Sequence, residues 1–319
     1  MIAFVFPGQG SQSLGMLSAL AAQEPLIAQA FAEASQVLGY DLWALCQNGP
    51  AERLGATEFT QPAMLAAGVA TFRAWRARGG PMPAMMAGHS LGEYTALVCS
   101  GSLDYRTAVA LVQFRGAAMQ AAVPAGEGAM AALLGLDDTV TEEICAQASG
   151  SEVVVAANYN SPGQIVIAGH TAAVDRAIEL ASARGAKRAI RLPVSVPSHS
   201  PLMQPAALQL SQRLQAVAFE APQDVVVYTV NVARHQNAAG IRRALAEQLV
   251  QPVRWSATVR TMIDEGARAL IECGPGKVLT GLNRRIDRNK DIAMLTIEDE
   301  ASLNEALASC RTIESRADR

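Results

Sequence analysis

The stretch Met85-Met86-Ala87-Gly88-His89-Ser90-Leu91-Gly92-Glu93-Tyr94 limits what this chain can fold into more than any other. A short apolar run enters it, and glycines stand two before and two after Ser90. A helical segment from Glu93 to Ser100 leaves it, closed by Gly101. Gly-x-Ser-x-Gly between a strand and a helix is the pattern of a nucleophile elbow, in which a sharp turn strains the serine backbone and exposes its hydroxyl. Flanking glycines let strand and helix come close. Leu91 and Gly92 would open the helix, with amide hydrogens aimed where an oxyanion could form. A serine between glycines is also an ordinary loop, so the elbow needs partners elsewhere in the chain.

The order of the remaining segments predicts an α/β protein. Ile2-Ala3-Phe4-Val5-Phe6 reads as a buried strand running into the loop Pro7-Gly8-Gln9-Gly10-Ser11-Gln12. This loop is no dinucleotide site, because Ser13 occupies the third glycine's place, and no Walker lysine-serine pair follows. Helical patterns cover Gln23 to Leu38, Tyr40 to Cys46 and Pro62 to Arg78, with Thr60-Gln61-Pro62 as a helix entrance. After Pro124-Ala125-Gly126-Glu127-Gly128 the rhythm changes to β-α-β-β-α-β, the ferredoxin-like order. The expected architecture is therefore a large α/β-hydrolase-like body with a parallel sheet core, residues 1–125 and 196–319, interrupted by an inserted ferredoxin-like subdomain, residues 126–195. Glu300 to Arg319 reads as a helix fraying into a charged tail.

Composition excludes several classes. No run approaches the roughly 20 apolar residues that cross a bilayer, and the first residues lack the basic region and cleavage site of a secretory signal, so a cytoplasmic protein without membrane association is expected. Cys46, Cys99, Cys145, Cys273 and Cys310 are odd in number and widely spaced. They read as buried small hydrophobes, neither a disulfide framework nor a metal site. A net charge of −3 argues against nucleic acid as the main partner.

A serine nucleophile needs a base, and the chain has four histidines. His89 sits inside the elbow, where its ring should point elsewhere. His170 lies at a helix entrance in the insert, and Arg234-His235-Gln236-Asn237 reads as a solvated loop. His199, in a loop where the large body resumes, is left as the candidate. A triad in the hydrolase order would put an acid between Ser90 and His199. None of the acids there, Glu93 among them, falls in an evident strand-end loop of the body. A serine-histidine dyad follows, with the imidazole oriented by a backbone carbonyl.

On the helix Leu103 to Val123, Arg115 shares a face with Ala108, Leu111, Val112 and Met119. A guanidinium on an apolar face needs an anionic partner. It can also snorkel to a rim or pair with a distant carboxylate. If the partner is a ligand, a serine, its base and a buried arginine describe acyl transfer of a group that carries its own carboxylate.

Five motifs together resemble one family: Phe6-Pro7-Gly8-Gln9-Gly10-Ser11-Gln12, Gly88-His89-Ser90-Leu91-Gly92-Glu93-Tyr94, Gln113-Phe114-Arg115-Gly116, Val194-Ser195-Val196-Pro197-Ser198-His199 and Gly274-Pro275-Gly276-Lys277-Val278-Leu279. The family is the malonyl-CoA:acyl-carrier-protein transacylases of fatty acid synthesis, and the likeness runs in order through nearly the whole chain. It implies that Ser90 carries a malonyl ester, that His199 moves its proton and that Arg115 binds the malonyl carboxylate. It further implies an oxyanion hole from the N–H groups of Gln9 and Leu91, and a histidine held by the main-chain carbonyl of Gln248. Asn160 and Gln164 match positions near the acyl site.

The implied partners are malonyl-CoA and the phosphopantetheine thiol of acyl carrier protein, in a monomer without metal or cofactor. Lys187, Arg188 and Arg191, or Arg284, Arg285 and Arg288, are possible carrier docking patches. Rival readings are an acyltransferase of a polyketide or malonate decarboxylase system, a serine esterase or thioesterase, and a silent acyl-CoA-binding protein. An esterase would want an apolar acyl pocket where this chain has Arg115, and a silent protein has no use for Ser90 and His199.

Overall fold

The computed structural model describes residues 1–194 and 196–317, so Ser195, which ends the expected insert, and the last two residues of the expected tail lie outside the described residues. Its strands are β1 (Ile2–Phe6), β2 (Met85–Gly88), β3 (Gly128–Leu134), β4 (Val154–Ser161), β5 (Gln164–His170), β6 (Arg188–Arg191), β7 (Val226–Tyr228), β8 (Ala269–Cys273) and β9 (Ala293–Ile297). All five side chains of β1 are buried. That is what an unbroken apolar strand needs when helices cover both faces of a parallel sheet. The sheet of the body runs β7-β2-β1-β8-β9, and every neighbouring pair in it is parallel. Parallel strands end at one edge, so the loops that follow β1, β2 and β8 meet there, the place where open α/β sheets bind ligands.

The second sheet is antiparallel, in the order β4-β5-β3-β6. Its two faces separate by the strand period of two. Ala129, Ala131, Leu133, Ile165 and Ile167 pack with residues of the helices Asp138–Ser149 and Thr171–Ala183. Met130 and Val166, one residue out of phase, form a small apolar cluster on the opposite face with Ala157, Ala168, Leu192 and Val194. That face turns toward the body, and Tyr159 N–H to Val253 O and Val253 N–H to Ala157 O, both 2.9 Å, tie β4 to it.

One helix begins earlier than its sequence suggests. Pro62 is not at an entrance but inside the helix Thr57–Ala77. Proline lacks only its own N–H, and near a helix start that loss is one hydrogen bond. The additional residues carry Thr57 and Gln61 to the pocket. All five cysteines are buried. Among the described residues no helix is long and apolar enough to cross a membrane.

Candidate active site

Ser90 lies two residues past the end of β2 and has φ of 53°. Left-handed backbone is costly for a side chain with Cβ and persists only where the surroundings fix it. Here the glycines do so. A Cβ on Gly92 would lie 2.0 Å from the carbonyl oxygen of Phe6, and one on Gly88 would lie 1.8 Å from the carbonyl carbon of Gly92. Neither position tolerates a side chain, and the serine is driven outward at the start of the helix Gly92–Cys99. The main-chain N–H groups of Gln9 and Leu91 have no acceptor among the described residues. Both residues line the same cavity of ≈ 220 Å³ as Ser90.

His199 stands between β6 and the helix Gln204–Leu214, also with left-handed backbone, φ 59°. Its Nε2 is 2.7 Å from Ser90 Oγ. Its Nδ1 is 2.8 Å from the carbonyl oxygen of Gln248 and 3.1 Å from that of Gln251. Carbonyl oxygens only accept, so Nδ1 carries the hydrogen and Nε2 is left to accept the serine proton. Burial pushes the His199 pKa down to about 3, helped by the positive charge of Arg115, while the carbonyl contacts oppose the shift. The ring is neutral at ordinary pH, as a base must be.

Arg115 projects from the helix Tyr105–Ala121 and is 1% exposed. Its Nη1 donates to Gln61 Oε1 at 2.8 Å, and its Nη2 to Gln248 Oε1 at 2.7 Å and Ser90 Oγ at 3.3 Å. The guanidinium lies over the Tyr94 ring, 5.5 Å from its centre, and its Nε has no hydrogen-bond partner among the described residues. Burial pulls its pKa below the ordinary arginine value, opposed by Tyr94 and Glu93. None of the groups bonded to it is a carboxylate. Neither snorkelling nor an internal salt bridge describes it.

The match to an acyl transferase domain spans residues 3–301. The chain belongs to the acyl transferase family. It is 56% identical over 284 residues to the malonyl CoA-acyl carrier protein transacylase of Escherichia coli K12, covering 89% of this chain and 92% of that protein. With the Bacillus subtilis protein of the same name the identity is 42% over 318 residues, and each chain is covered to 97%. Among solved structures, the Coxiella burnetii transacylase superposes with a TM-score of 0.94 at 52% identity, covering 96% of each chain. A malonyl-transacylase in complex with a type II polyketide synthase acyl-carrier protein also gives 0.94, at 51% identity, covering 97% of this chain and 99% of that one.

In this acyl transferase Ser90, His199, Arg115, Gln9, Leu91 and Gln248 all meet at one pocket edge or beneath it. Asn160 lines the pocket, its Oδ1 2.9 Å from His89 Nε2, so His89 also faces the site. Gln164 instead accepts a hydrogen bond from Arg285 on the helix Val278–Ile286. Of the cationic patches, Arg191 is paired with Asp175 at 3.0 Å, and Arg284 donates to the carbonyl of Met294.

Three residues escaped sequence reasoning. Gln61 was hidden by the misplaced helix start. Glu93 is buried and bonds Gln248 and His235, not His199. His235, expected in a solvated loop, is 6% exposed because its ring turns inward onto Glu93. A polar run such as Arg234-His235-Gln236-Asn237 gives no signal that one of its members is buried.

Proposed function

We propose that this protein moves a malonyl group from malonyl-CoA to the phosphopantetheine thiol of acyl carrier protein, through an ester on Ser90. The substrate carboxylate pairs with Arg115, which sets the thioester carbonyl beside Ser90 Oγ. His199 Nε2 takes the hydroxyl proton as Oγ attacks, and the N–H groups of Gln9 and Leu91 receive the oxyanion. The carbon–sulfur bond breaks, and the CoA thiolate leaves with the proton from His199. In the second half the carrier's thiol gives its proton to His199 and its sulfur attacks the ester. Ser90 then recovers the proton. Thioester becomes oxyester and thioester again, so no electrons change hands and the balance needs neither redox cofactor nor metal. We place this reaction in the cytoplasm and in a monomer, supplying malonyl units to carrier-bound chain synthesis.

The observation that carries the reading is Arg115, buried 3.3 Å from the nucleophile and, among the described residues, hydrogen-bonded only to neutral groups. A cation so placed favours an acyl group that brings an anion, since an acyl group without one leaves the guanidinium uncompensated. Intact mass after mixing with malonyl-CoA tests it. Wild type is expected to gain one malonyl group and to lose it on adding carrier protein, whereas Ser90→Ala gains none. An adduct that survives in Ser90→Ala would remove the serine from the mechanism.

A further inference from the structure

Behind the pocket lies a polar network that the reaction as derived leaves unused. Glu93 is fully buried, and three donors converge on its carboxylate: His235 Nε2 at 2.8 Å, Gln248 Nε2 at 2.8 Å and the Val230 main-chain N–H at 3.1 Å. A carboxylate only accepts, so the His235 ring presents N–H at Nε2 whatever its charge.

The consequence falls on Gln248. Its primary amide has nearly the same shape when turned over, so only its neighbours decide which end is oxygen. On one side Nε2 meets Glu93 and the carbonyl oxygen of Ser90, at 2.8 and 3.1 Å, and both accept. On the other, Oε1 meets Arg115 Nη2 at 2.7 Å, which can only donate. Turned over, the amide would set oxygen against carboxylate and N–H against guanidinium. The buried anion, together with the Ser90 carbonyl and Arg115, thus forbids one of two orientations of the group that touches Arg115, Ser90 and, through its main-chain carbonyl, His199.

Charge adds a second consequence. A carboxylate bonded straight to Arg115 would satisfy the guanidinium and compete with a substrate's carboxylate for it. Glu93 compensates the arginine from one amide away, and Arg115 Nε keeps no hydrogen-bond partner among the described residues.

We infer that Glu93 and His235 form a positioning pair for carboxylate selection, locking the Gln248 amide with its oxygen on Arg115 and holding the arginine's counter-charge at one remove so that the guanidinium stays open to substrate. This rests on the malonyl-transfer reading. Glu93→Gln removes the counter-charge and one of the two acceptors that hold Gln248 Nε2, so the amide is fixed less firmly. Acylation kcat/KM is measured for malonyl-CoA and acetyl-CoA, and the malonyl-to-acetyl ratio is expected to fall about tenfold or more from wild type. His235→Leu, which removes the donor, should lower the ratio in the same direction, and His235→Gln, which keeps an N–H, should restore much of it. A role in folding alone would change both substrates equally. Should Glu93→Gln fail to fold, the two His235 variants decide, and equal ratios in both would overturn the pair. Wild type that accepts no malonyl overturns the functional reading and the pair with it. Wild-type malonyl transfer combined with variant ratios within about twofold of wild type overturns the pair alone.

Discussion

The two walls of the pocket are built from opposite chemistry. The body supplies Ser90, His199, Arg115 and Gln248, each tied to the next by hydrogen bonds of 2.7 to 3.3 Å. The insert faces them with Met130, Val166, Leu192 and Val194, and with the amides of Asn158 and Asn160. Buried polar groups in a closed network have one arrangement available, while apolar side chains hold only shape. The body wall is therefore suited to choosing and moving charge. The insert wall is suited to covering the ester and keeping water from it.

Arg115→Ala should produce the largest separation between the walls. Removing one partner of a buried ion pair typically costs several kcal/mol, so malonyl acylation is expected to fall by roughly 100-fold or more. Acetyl acylation, with no carboxylate to lose, should fall by less than about tenfold. Single-turnover acylation with the two CoA esters measures both. Equal losses would mean that Arg115 only supports the fold, and the body wall would lose its claim to selection.

This wall was the more legible of the two in the sequence. The elbow follows from glycine spacing, because a side chain at Gly88 or Gly92 meets backbone at about 2 Å. Arg115 declared itself by standing on an apolar helix face, and both sheets follow from strand runs and the β-α-β-β-α-β order. Gln61, Glu93 and His235 did not. Glu93 and His235 are 142 residues apart and meet only because Val226–Tyr228 pairs with β2 beside the elbow helix. Nothing local distinguishes a buried polar residue from a solvated one when its partner is so distant. The elbow glutamate reads as a failed triad acid until Gln248 is found against it. The insert's pocket face was also invisible, since Met130 and Val166 differ from their helix-facing neighbours only in phase.

A smaller effect is expected from Met130→Ala. Shortening this side chain opens the insert wall without touching a polar group of the body, so malonyl-Ser90 should hydrolyse several-fold faster in the absence of acceptor. Acylation should change by less than about threefold. Mass spectrometry of the malonyl-enzyme against time gives the lifetime. If acylation fell as much as the lifetime, the insert would share in the chemistry and the division between walls would fail.

The smallest expected effect is an absence of change with pH. A histidine serves as a base only when neutral, and burial together with Arg115 places the His199 pKa at about 3, against an ordinary value of 6.5. The base form therefore persists as pH falls through 6.5. The kcat/KM for malonyl-CoA, which reports the free enzyme, should stay within about twofold from pH 8 to pH 5. Stability moves differently in the same range. The unfolded chain binds the His199 proton near 6.5 and the folded chain only near 3, so folding is progressively disfavoured as pH drops through that window. Rates must accordingly be taken on protein shown to be folded at each pH. A midpoint near 6.5 would mean that the ring is open to water and the body wall is not the closed network drawn above. Arg115→Ala sharpens the point: with the neighbouring charge gone and burial retained, any midpoint should move upward from about 3 yet stay below 6.5. A variant that titrates no higher than wild type would mean that the Arg115 charge contributes nothing to the shift.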